Sequence, residues 1–480
     1  MPIRLYNSLT KKKEEFKPVI PGVVNMYTCG VTVYDACHIG HARSLYIFDS
    51  IKRYLEYRGF KVNLVRNITD IDDKIINRAR EIKVSWEDLV EKYIRSYYQD
   101  LESLEISPGI MDGSDEPRAT KNIEEIKKYI QVLLDTGYAY ATDTGVYFSV
   151  RKFKGYGKLS GQAIEEMLTG VRKETDETKQ DPLDFALWKK SKADEPSWPS
   201  SWGEGRPGWH IECSVMSTKY LKTETLDIHA GGRDLIFPHH ENEIAQSESV
   251  TGKPFAHYWL HHGLLTINSQ KMSKSLGNFV TIKDALARLP VDVLKLFFLQ
   301  AHYAHPIDFS WEKIEELKKA YERLALVMEK LAKMPCVPLA RERTELNEAE
   351  RKAMLSLQQD KDRFIEYMDD DFNTPRALSV LFDLASLCNK LWESHDDYKT
   401  IKLNYARDIF KELFGVFGLA LGKGGRKDIL DEEIEQKIHE RLAFRKQKKF
   451  TEADSLRKEL EGKGVILEDT KDTTTWRRKI

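Results

Sequence analysis

The sequence predicts an α/β protein with a parallel-sheet domain split by an insertion, followed by an α-helical bundle and a small C-terminal mixed α/β module. Three observations lead to this prediction. A strand–helix–strand pattern occupies residues 22–65, a Pro-, Gly- and Trp-rich segment interrupts the α/β pattern before residue 205, and amphipathic helical sequence continues almost without a break beyond residue 310. A chain of 480 residues is long enough for about three domains.

The first predicted strand and helix lie near the N-terminus. The run GVVNMYTCG at 22–30 is rich in residues that favour β-structure and ends at a glycine. After it, four apolar residues recur at the spacing of one helical face: Leu45, Phe48, Ile51 and Leu55. The run KVNLV at 61–65 is a second strand, so the segment predicts a βαβ unit and a Rossmann-like parallel sheet. Ligands bind such sheets at the carboxyl ends of strands, here residues 29–30 and 67–70.

The rest of the chain divides where the composition changes. Turn-rich, charged sequence ends in EPSWPSSWGEGRPGWH, after which strand-like TLDIHAGG and helix-like PHHENEIAQSESVTG resume the α/β pattern. The predicted segments are the first half of the sheet domain (1–114), a connective insertion (115–205), the second half of the sheet domain (206–255), a linker domain (256–310), a helical bundle (311–425) and a C-terminal module (426–480).

Composition and charge exclude several classes of protein. The 75 basic and 76 acidic residues leave a net charge of −1, so nucleic-acid binding would need a local basic surface. No uncharged apolar run is long enough to cross a membrane, and the N-terminus lacks the apolar core of a secretion signal. The 5 cysteines are an odd count in a long chain, which argues against a disulfide framework and predicts a cytoplasmic location.

Two short motifs are suited to phosphate chemistry. In CHIGHAR, His38 and His41 flank Gly40 at a predicted strand-to-helix turn, where free N–H groups and two imidazoles suit a phosphate chain. In KMSKS at 271–275, Lys271 and Lys274 lie three residues apart in a loop and can act as a mobile cationic clamp. Each motif alone is also compatible with an ordinary turn or a solvated loop. Together and in this order they are the two signatures of the class I aminoacyl-tRNA synthetases, which the chain therefore resembles.

A third group of residues suggests a metal site. Cys29 ends the first strand and Cys213 lies in GWHIECSVM, while His239 and Glu243 are i, i+4 on a helix predicted to begin at Pro238. Two thiolates, an imidazole and a carboxylate are a plausible zinc set, although the spacing is not that of a zinc finger. His240 is a weaker candidate because its i+4 partner, residue 244, is an isoleucine and cannot ligate a metal. The other weaker candidates are four further histidines: His210, His229, His261 and His262.

Taken as a whole, the chain resembles the bacterial-type cysteinyl-tRNA synthetase family almost from end to end. The matching segments are YTCGVTVYDACHIGHAR, NITDIDDKI, DPLDFALWK, PGWHIECSVM, DIHAGGRDLIFPHHENEIAQS, KMSKSLGN and LEDTKDTTTWRR. The resemblance implies one Zn²⁺ per chain, held by Cys29, Cys213, His239 and Glu243.

The resemblance also implies a two-step reaction. The cysteine carboxylate attacks the α-phosphate of ATP to form cysteinyl-adenylate, and the 3′-terminal adenosine of tRNA(Cys) then displaces AMP. ATP binding is implied for His38, Gly40, His41, Lys271 and Lys274, with Mg²⁺ accompanying ATP. Zinc would select the substrate thiol over the serine hydroxyl, since a steric pocket separates such similar side chains by only about 1–3 kcal/mol.

Further site residues follow from the same resemblance. Gly30, Thr69 and Trp209 are implied as parts of the cysteine pocket. The C-terminal run RLAFRKQKK offers a basic track for tRNA, and the resemblance places anticodon recognition at Arg445, Asp454, Asp469 and Trp476. The family comparison also implies a monomer without a membrane partner.

Two alternative functions stay open from the sequence. A small-molecule ligase such as the cysteine ligase of mycothiol synthesis would share the catalytic half, but it would have no use for an anticodon-reading module. A non-enzymatic RNA-binding protein on a decayed synthetase scaffold would not need the intact HIGH and KMSKS motifs or the four metal-ligating residues.

Overall fold

The structure is a computed structural model that describes residues 2–110, 115–170, 178–273, 276–335, 348–420, 431–447, 449–462, 465–469 and 474–478. The strands are β1 (Arg4–Asn7), β2 (Lys12–Glu15), β3 (Val23–Thr32), β4 (Lys61–Thr69), β5 (Ala139–Ala141), β6 (Gly145–Phe148), β7 (Phe185–Lys190), β8 (Gly205–Pro207), β9 (Leu226–Gly232), β10 (Ala256–His262), β11 (Leu265–Ile267), β12 (Gln270–Lys271), β13 (Ile307–Phe309), β14 (Val465–Asp469) and β15 (Thr474–Arg478). The α-helices are α1 (Ile39–Tyr57), α2 (Asp73–Ile82), α3 (Trp86–Ser103), α4 (Ile123–Asp135), α5 (Ile164–Gly170), α6 (Trp209–Leu221), α7 (Glu241–Thr251), α8 (Ile282–Leu286), α9 (Val291–Leu299), α10 (Trp311–Lys333), α11 (Glu348–Asp369), α12 (Thr374–Glu393), α13 (Lys399–Val416), α14 (Asp431–Lys446) and α15 (Phe450–Gly462).

A parallel sheet in the order β10-β9-β3-β4 forms the centre of the first domain. Tyr27 on β3 lies opposite Val65 on β4 and His229 on β9, so the functional segments of both halves of the domain enter one sheet. The four apolar residues that predicted the first helix are all buried on α1: Leu45, Phe48, Ile51 and Leu55. The predicted α/β fold with a parallel sheet is confirmed.

The segment between β4 and β9 contains a second, antiparallel sheet in the order β5-β6-β7-β8, packed against α4. Its core includes Val146, Phe148, Leu187 and Trp188, all fully buried. The last strand ends at Pro207, directly before Gly208, which caps α6. The insertion therefore leads straight into the helix that carries Cys213.

A small sheet in the order β12-β11-β13 follows the parallel sheet and carries Lys271, the first residue of KMSKS, on its edge strand β12. Arg43 on α1 fixes this sheet to the catalytic domain, because its fully buried guanidinium donates to the carbonyls of Gly263 (2.8 Å), Leu264 (2.8 Å), Tyr303 (3.3 Å) and His305 (2.5 Å). The residues directly before β11 and directly before β13 are therefore anchored on the helix that begins in HIGH.

Helices α10, α11, α12 and α13 form the predicted bundle, with a core that includes Leu324, Leu357, Leu381 and Phe410. The C-terminal module has its own small core of Ile434, Ile438, Leu460, Val465 and Leu467, between α14, α15 and the antiparallel pair β14–β15. Among the described residues, no helix combines the length and the apolar character needed to cross a membrane.

Candidate active site

Four potential metal ligands meet beside the carboxyl end of the parallel sheet. Cys29 lies on β3, Cys213 on α6, His239 in the turn before α7 and Glu243 in the first turn of α7. The two sulfur atoms are 3.8 Å apart, Cys213 Sγ is 3.6 Å from His239 Nε2, and Cys29 Sγ is 3.5 Å from Glu243 Oε1. All four donor atoms lie within 4.8 Å of one another.

These separations suit a tetrahedral zinc ion. Bonds of about 2.3 Å to sulfur and about 2.0–2.1 Å to nitrogen and oxygen put neighbouring donors roughly 3.3–3.8 Å apart in a tetrahedron. The three sulfur-containing distances given above already have such lengths. His239 Nε2 and Glu243 Oε1 are closer, at 2.8 Å, because they form an ion pair with each other. The donor types and their spacing therefore fit zinc.

The helix that carries Glu243 begins later than the sequence predicted. Residues Ile236–His240 form a π-helical turn with an extended Phe237, and α7 begins at Glu241 instead of Pro238. The predicted helix start at Pro238 is wrong because the π-helical turn of Ile236–His240 occupies the positions before Glu241. His239 and Glu243 nevertheless contact each other.

A second layer of side chains orients the donors. His210 Nδ1 lies 2.9 Å from His239 Nδ1, and His229 Nε2 lies 2.5 Å from Glu243 Oε2. Such outer contacts to metal-ligating imidazoles and carboxylates fix the orientation of the ligand atoms. Trp209, the first residue of α6, stacks on His239 with ring centroids 4.1 Å apart. Trp209 is 36% exposed and forms a partly open wall above the donor set.

A second donor set shares two of these residues. Cys29, His229, His240 and Glu243 also lie within 4.8 Å of one another, and His240 Nε2 is 3.2 Å from Cys29 Sγ. His240 Nδ1 contacts His261 Nε2 at 2.8 Å, so this histidine bridges Cys29 and β10. The helical spacing predicted that His240 is a weaker candidate ligand than His239, because residue 244 is isoleucine. Its proximity to Cys29 depends on a contact across 211 residues, which no local pattern could show.

The donor set is electrostatically coupled. A hydrogen bond with Cys29 lowers the pKa of the Cys213 thiol to about 7, and His239 adds to this effect. Burial and the neighbouring Cys213 raise the pKa of Cys29 well above its ordinary value. Against the effect of burial, Glu243 raises the pKa of His239 to about 10, while His229 and His239 hold the pKa of Glu243 low. A partly ionised Cys213 thiol and the Glu243 carboxylate are thus available to a cation at neutral pH.

A chain of hydrogen bonds runs from this donor set along β4. Asn67 Oδ1 accepts from Tyr27 Oη (3.0 Å) and from the Gly30 N–H (2.9 Å), and it lies 3.7 Å from Cys213 Sγ. Asn67 Nδ2 donates to Thr69 Oγ1 (3.4 Å), which contacts Glu212 Oε2 at 2.8 Å.

Gly30 is required by the backbone of β4. A Cβ atom at Gly30 would lie 1.4 Å from the carbonyl oxygen of Asn67, so no other residue fits without displacing the strand. Of the predicted pocket residues, Gly30 and Thr69 thus lie on one hydrogen-bonded chain. The sequence did not predict Glu212 as part of this chain of hydrogen bonds. Its position directly before Cys213 is the one feature of the sequence that indicates it.

The two histidines of HIGH cap the helix that they begin. His38 Nδ1 accepts from the backbone N–H groups of Gly40 (3.1 Å) and His41 (3.2 Å), and His41 Nδ1 accepts from the His38 N–H (3.2 Å). The sequence predicted that these helical N–H groups would be free for phosphate; two of them instead bind His38. A Cβ atom at Gly40 would lie 2.9 Å from the His38 ring, so a larger residue at this position would push against the ring.

Burial makes both rings weak bases: it lowers the pKa of His38 to about 4 and that of His41 to about 3. Because each Nδ1 accepts a hydrogen bond, the proton of each neutral ring resides on Nε2. The rings are stacked with centroids 3.8 Å apart, so the two Nε2–H donors belong to one compact pair. This pair can donate to phosphate oxygens without carrying a charge.

The segment around KMSKS lies beside HIGH. The Ile39 N–H donates to the Val280 carbonyl (3.1 Å), the Ile282 N–H donates to the Cys37 carbonyl (3.0 Å), and Phe279 contacts the His38 ring edge-to-face. Lys271 is exposed on β12. Lys274 lies outside the described residues.

The predicted anticodon residues lie in the C-terminal module. Arg445 Nη1 is 3.2 Å from Asp469, which also accepts two hydrogen bonds of 2.8 Å from Arg441. Asp454 is exposed on α15. Trp476 packs against the module core and donates its indole N–H to Glu435 (2.6 Å). The structure joins Arg445 to Asp469 directly, packs Trp476 against the module core and leaves Asp454 exposed.

Comparison with known proteins gives matches along nearly the whole chain. Residues 15–319 match the family model of the class I (C) tRNA synthetase catalytic domain, residues 363–422 match a DALR domain, and residues 428–477 match the cysteinyl-tRNA ligase anticodon binding domain. The cysteine–tRNA ligase of Geobacillus thermodenitrificans is 49% identical over 476 residues and covers 99% of each chain. That of a Sulfurihydrogenibium species is 47% identical over 498 residues and covers 100% of each chain.

A solved structure confirms the fold class alone. The Mycobacterium tuberculosis methionyl-tRNA synthetase in complex with methionyl-adenylate aligns with a TM-score of 0.61 at 17% sequence identity, covering 84% of this chain and 92% of that chain.

Proposed function

The chain belongs to the cysteinyl-tRNA synthetase (cysteine–tRNA ligase) family, and from that premise we propose which of its own side chains select cysteine, activate it and bind tRNA. The chain couples cysteine to tRNA with ATP, in keeping with a catalytic domain at 15–319 and an anticodon binding domain at 428–477. The mycothiol-type alternative is not favoured because such a ligase has no use for the second of these domains.

Cysteine selection is proposed for Cys29, Cys213, His239 and Glu243. The observation that carries this proposal is their tetrahedral spacing, with sulfur atoms 3.8 Å apart. Zinc held there would supply a Lewis acid that favours a thiolate over a hydroxyl as an additional ligand. His210 and His229 hold the imidazole and the carboxylate in place, and Trp209 covers His239. We favour this set over the set with His229 and His240 because it contains two thiols, one with a lowered pKa.

Adenylate formation is proposed for the HIGH pair and Lys271, together with Lys274. His38 and His41 would donate from Nε2 to the phosphate oxygens of ATP, and the lysines would balance charge on the leaving pyrophosphate. Mg²⁺ would accompany ATP as its counter-ion. The pair of neutral rings suits this role because it stays in one protonation state through neutral pH.

Recognition of tRNA(Cys) is proposed for the C-terminal module, with Arg445, Asp454, Asp469 and Trp476 as the anticodon-reading residues. The Arg445–Asp469 contact supports this proposal because it holds a base-reading guanidinium in a defined position. We also propose a monomer in the cytoplasm; the described cysteines are all free thiols, which fits a reducing compartment.

The zinc proposal is tested with Cys213→Ser. The wild-type chain is expected to hold one zinc ion, and the variant to lose most of its zinc and its cysteine-dependent ATP–pyrophosphate exchange together, because serine is a poor ligand for this metal. Metal content by mass spectrometry and the exchange assay measure the two effects.

The matched control is Cys388→Ser, which changes a buried cysteine of α12 far from the donor set. It should retain zinc and exchange activity. A Cys213→Ser protein with a full zinc complement and undiminished exchange would contradict the proposed ligand set.

A further inference from the structure

The turn between α11 and α12 has a strained backbone. Asp371 and Phe372 are consecutive and both have positive φ angles, of 66° and 52°. Aspartate adopts this left-handed region occasionally, but a bulky residue such as phenylalanine rarely does. A strained conformation of this kind persists only where the surrounding structure overdetermines it, and it is found most often at functional sites. The contacts of this turn must therefore offset the cost of its backbone.

Three consecutive aspartates connect the turn to the catalytic domain. Asp369 Oδ1 accepts a hydrogen bond of 2.6 Å from the Tyr54 hydroxyl on α1. Asp370 forms an ion pair of 2.6 Å with Lys13 on β2. With Asp371, whose contacts are given next, the turn joins the bundle to the helix that begins in HIGH and to the N-terminal strands.

Asp371 has the largest number of these contacts and is buried. Its Oδ1 accepts hydrogen bonds from the Tyr6 N–H (2.8 Å) and from the hydroxyl of the buried Tyr303 (2.9 Å). Its own N–H donates to the Arg4 carbonyl (2.7 Å), and its carbonyl accepts from His302 Nε2 (2.8 Å). Asp371 therefore holds both β1 and the segment that leads into β13.

Tyr303 links the turn to the two catalytic motifs. Its hydroxyl donates to Asp371, while its backbone carbonyl accepts from Arg43, which follows His41 by two residues. Strand β13 pairs with β11, and β11 pairs with β12, which carries Lys271. One side chain of the bundle is thus connected through Tyr303 to the HIGH helix and to the small sheet.

The proposed chemistry depends on how these two parts are placed. Phosphoryl-type reactions rest mostly on positioning, so a small displacement of a donor or a lysine lowers the rate although no reacting group is lost. The Tyr54–Asp369 hydrogen bond joins the turn to α1 alone. The Tyr303–Asp371 hydrogen bond also reaches the segment before β13, so it acts on the position of the small sheet relative to α1.

We propose that Asp371 is a positioning residue for adenylate formation, which holds the small sheet that carries Lys271 in place against the HIGH helix through the Tyr303 hydroxyl. The strained turn of the helical bundle then contributes to catalysis from outside both motifs. This inference rests on the proposed role of HIGH and Lys271 in adenylate formation, and it adds a requirement for a correctly seated bundle.

Tyr303→Phe tests the link because it removes one oxygen atom and keeps both the ring and the carbonyl that Arg43 holds. Cysteine-dependent ATP–pyrophosphate exchange and the melting temperature are measured on the full chain. The kcat/KM for ATP is expected to fall about fivefold, the usual effect of losing one hydrogen bond, while the KM for cysteine stays unchanged.

Tyr54→Phe is the matched control, since it removes the same atom from a hydrogen bond to the same turn. It should lower the melting temperature by a similar amount and leave the kcat/KM for ATP unchanged. Equal kcat/KM values for ATP in the two variants would overturn the inference, because the Tyr303 hydroxyl would then contribute to stability alone. A rise in the KM for cysteine that matches the fall in kcat/KM would overturn it as well.

Variants of Asp371 provide a second test. Asp371→Asn keeps the accepting Oδ1 and suits the left-handed backbone, so it should retain most of the kcat/KM for ATP. Asp371→Ala removes the acceptor and should lower this value at least as much as Tyr303→Phe does. Adding Tyr303→Phe to Asp371→Ala should cause no further fall, because both changes break one hydrogen bond. Independent, multiplying losses in the double variant would refute the link.

Lys271→Gln distinguishes this inference from the proposed function. If this variant keeps the full kcat/KM for ATP, the proposed role of Lys271 fails. The comparison of Tyr303→Phe with Tyr54→Phe still decides whether the bundle turn acts on adenylate formation.

Discussion

The imidazole rings of His38 and His41 show how single atoms define the chemistry of a motif. The sequence predicted the two rings at a helix start, and the structure adds that both Nδ1 atoms are used in capping. The available hydrogen-bond donors are therefore the two Nε2–H groups. This detail could not be read from HIGH, because the choice of ring nitrogen depends on three-dimensional contacts of the backbone.

We expect both rings to stay neutral at pH 6, with their protons on Nε2. Their pKa values of about 4 and about 3 lie below the value near 6.5 of a histidine in an unfolded chain. The unfolded state thus takes up protons that the folded state does not, so this contribution to stability falls as the pH drops from about 6.5 toward 4. Nitrogen NMR of histidine-labelled protein, assigned with His38→Asn and His41→Asn, measures the tautomer. A ring that titrates near pH 6.5 would contradict the expectation.

At the metal site, the residue types were predictable and their outer contacts were not. Cys29 and Cys213 stood out because cysteine is scarce in this chain, and His239 and Glu243 through their spacing. The contacts of His210, His229 and His240 arise only when α6, α7 and the strands of the parallel sheet assemble. Sequence spacing carries no information about such distant pairs.

At the scale of elements, the long helices were predictable and the short strands were not. The apolar face of α1 recurs over 19 residues, whereas β5, β6 and β8 have 3 or 4 residues each. A strand of that length contains too few residues to display an alternating pattern. The antiparallel sheet of the insertion therefore appeared in the sequence only as turn-rich material.

One buried ion pair joins β4 to the first residues of the insertion. Glu116 accepts hydrogen bonds from Arg66, Tyr97 and the Gly109 N–H, and the Arg66 and Glu116 side chains are almost inaccessible to solvent. Glu116→Gln should lower the free energy of unfolding by about 3 kcal/mol, because Arg66 is left as a buried charge without its counter-ion. Thermal unfolding of the two proteins under matched conditions gives the comparison.

The control for this change is Glu224→Gln, which removes one partner of a surface ion pair with Lys253 in which both side chains are well exposed. It should alter the free energy of unfolding by less than about 0.5 kcal/mol. If both variants lose the same small amount, the buried pair does not stabilise this part of the sheet domain.

At the scale of the whole molecule, the catalytic domain and the C-terminal module are built on separate hydrophobic cores. The C-terminal module has its own core, distinct from the one shared by the catalytic domain and the bundle. The order of the domains was predictable because composition changes along the chain. Their packing was not, since it depends on single long-range contacts such as those of Arg43.

Arg445→Gln should reduce tRNA charging at limiting tRNA about tenfold and leave cysteine-dependent pyrophosphate exchange unchanged. The reason is that Arg445 belongs to the C-terminal module, whereas adenylate formation takes place in the catalytic domain. Charging and exchange measured on the same preparation test this separation. Lys253→Gln, on the surface of the catalytic domain, is the matched loss of one positive charge and should affect neither rate. A parallel fall in both rates for Arg445→Gln would refute the proposed division.

The buried guanidinium of Arg43 holds the small sheet against the start of α1. It lies two residues after His41 and holds carbonyls on both sides of the KMSKS segment, at 263–264 and 303–305. Separating these residues from α1 would leave the buried guanidinium without its hydrogen-bond acceptors. The residues that flank the small sheet and the start of α1 are therefore expected to move as one unit. The residues directly before β11 and before β13 therefore keep a fixed position relative to the helix that begins in HIGH.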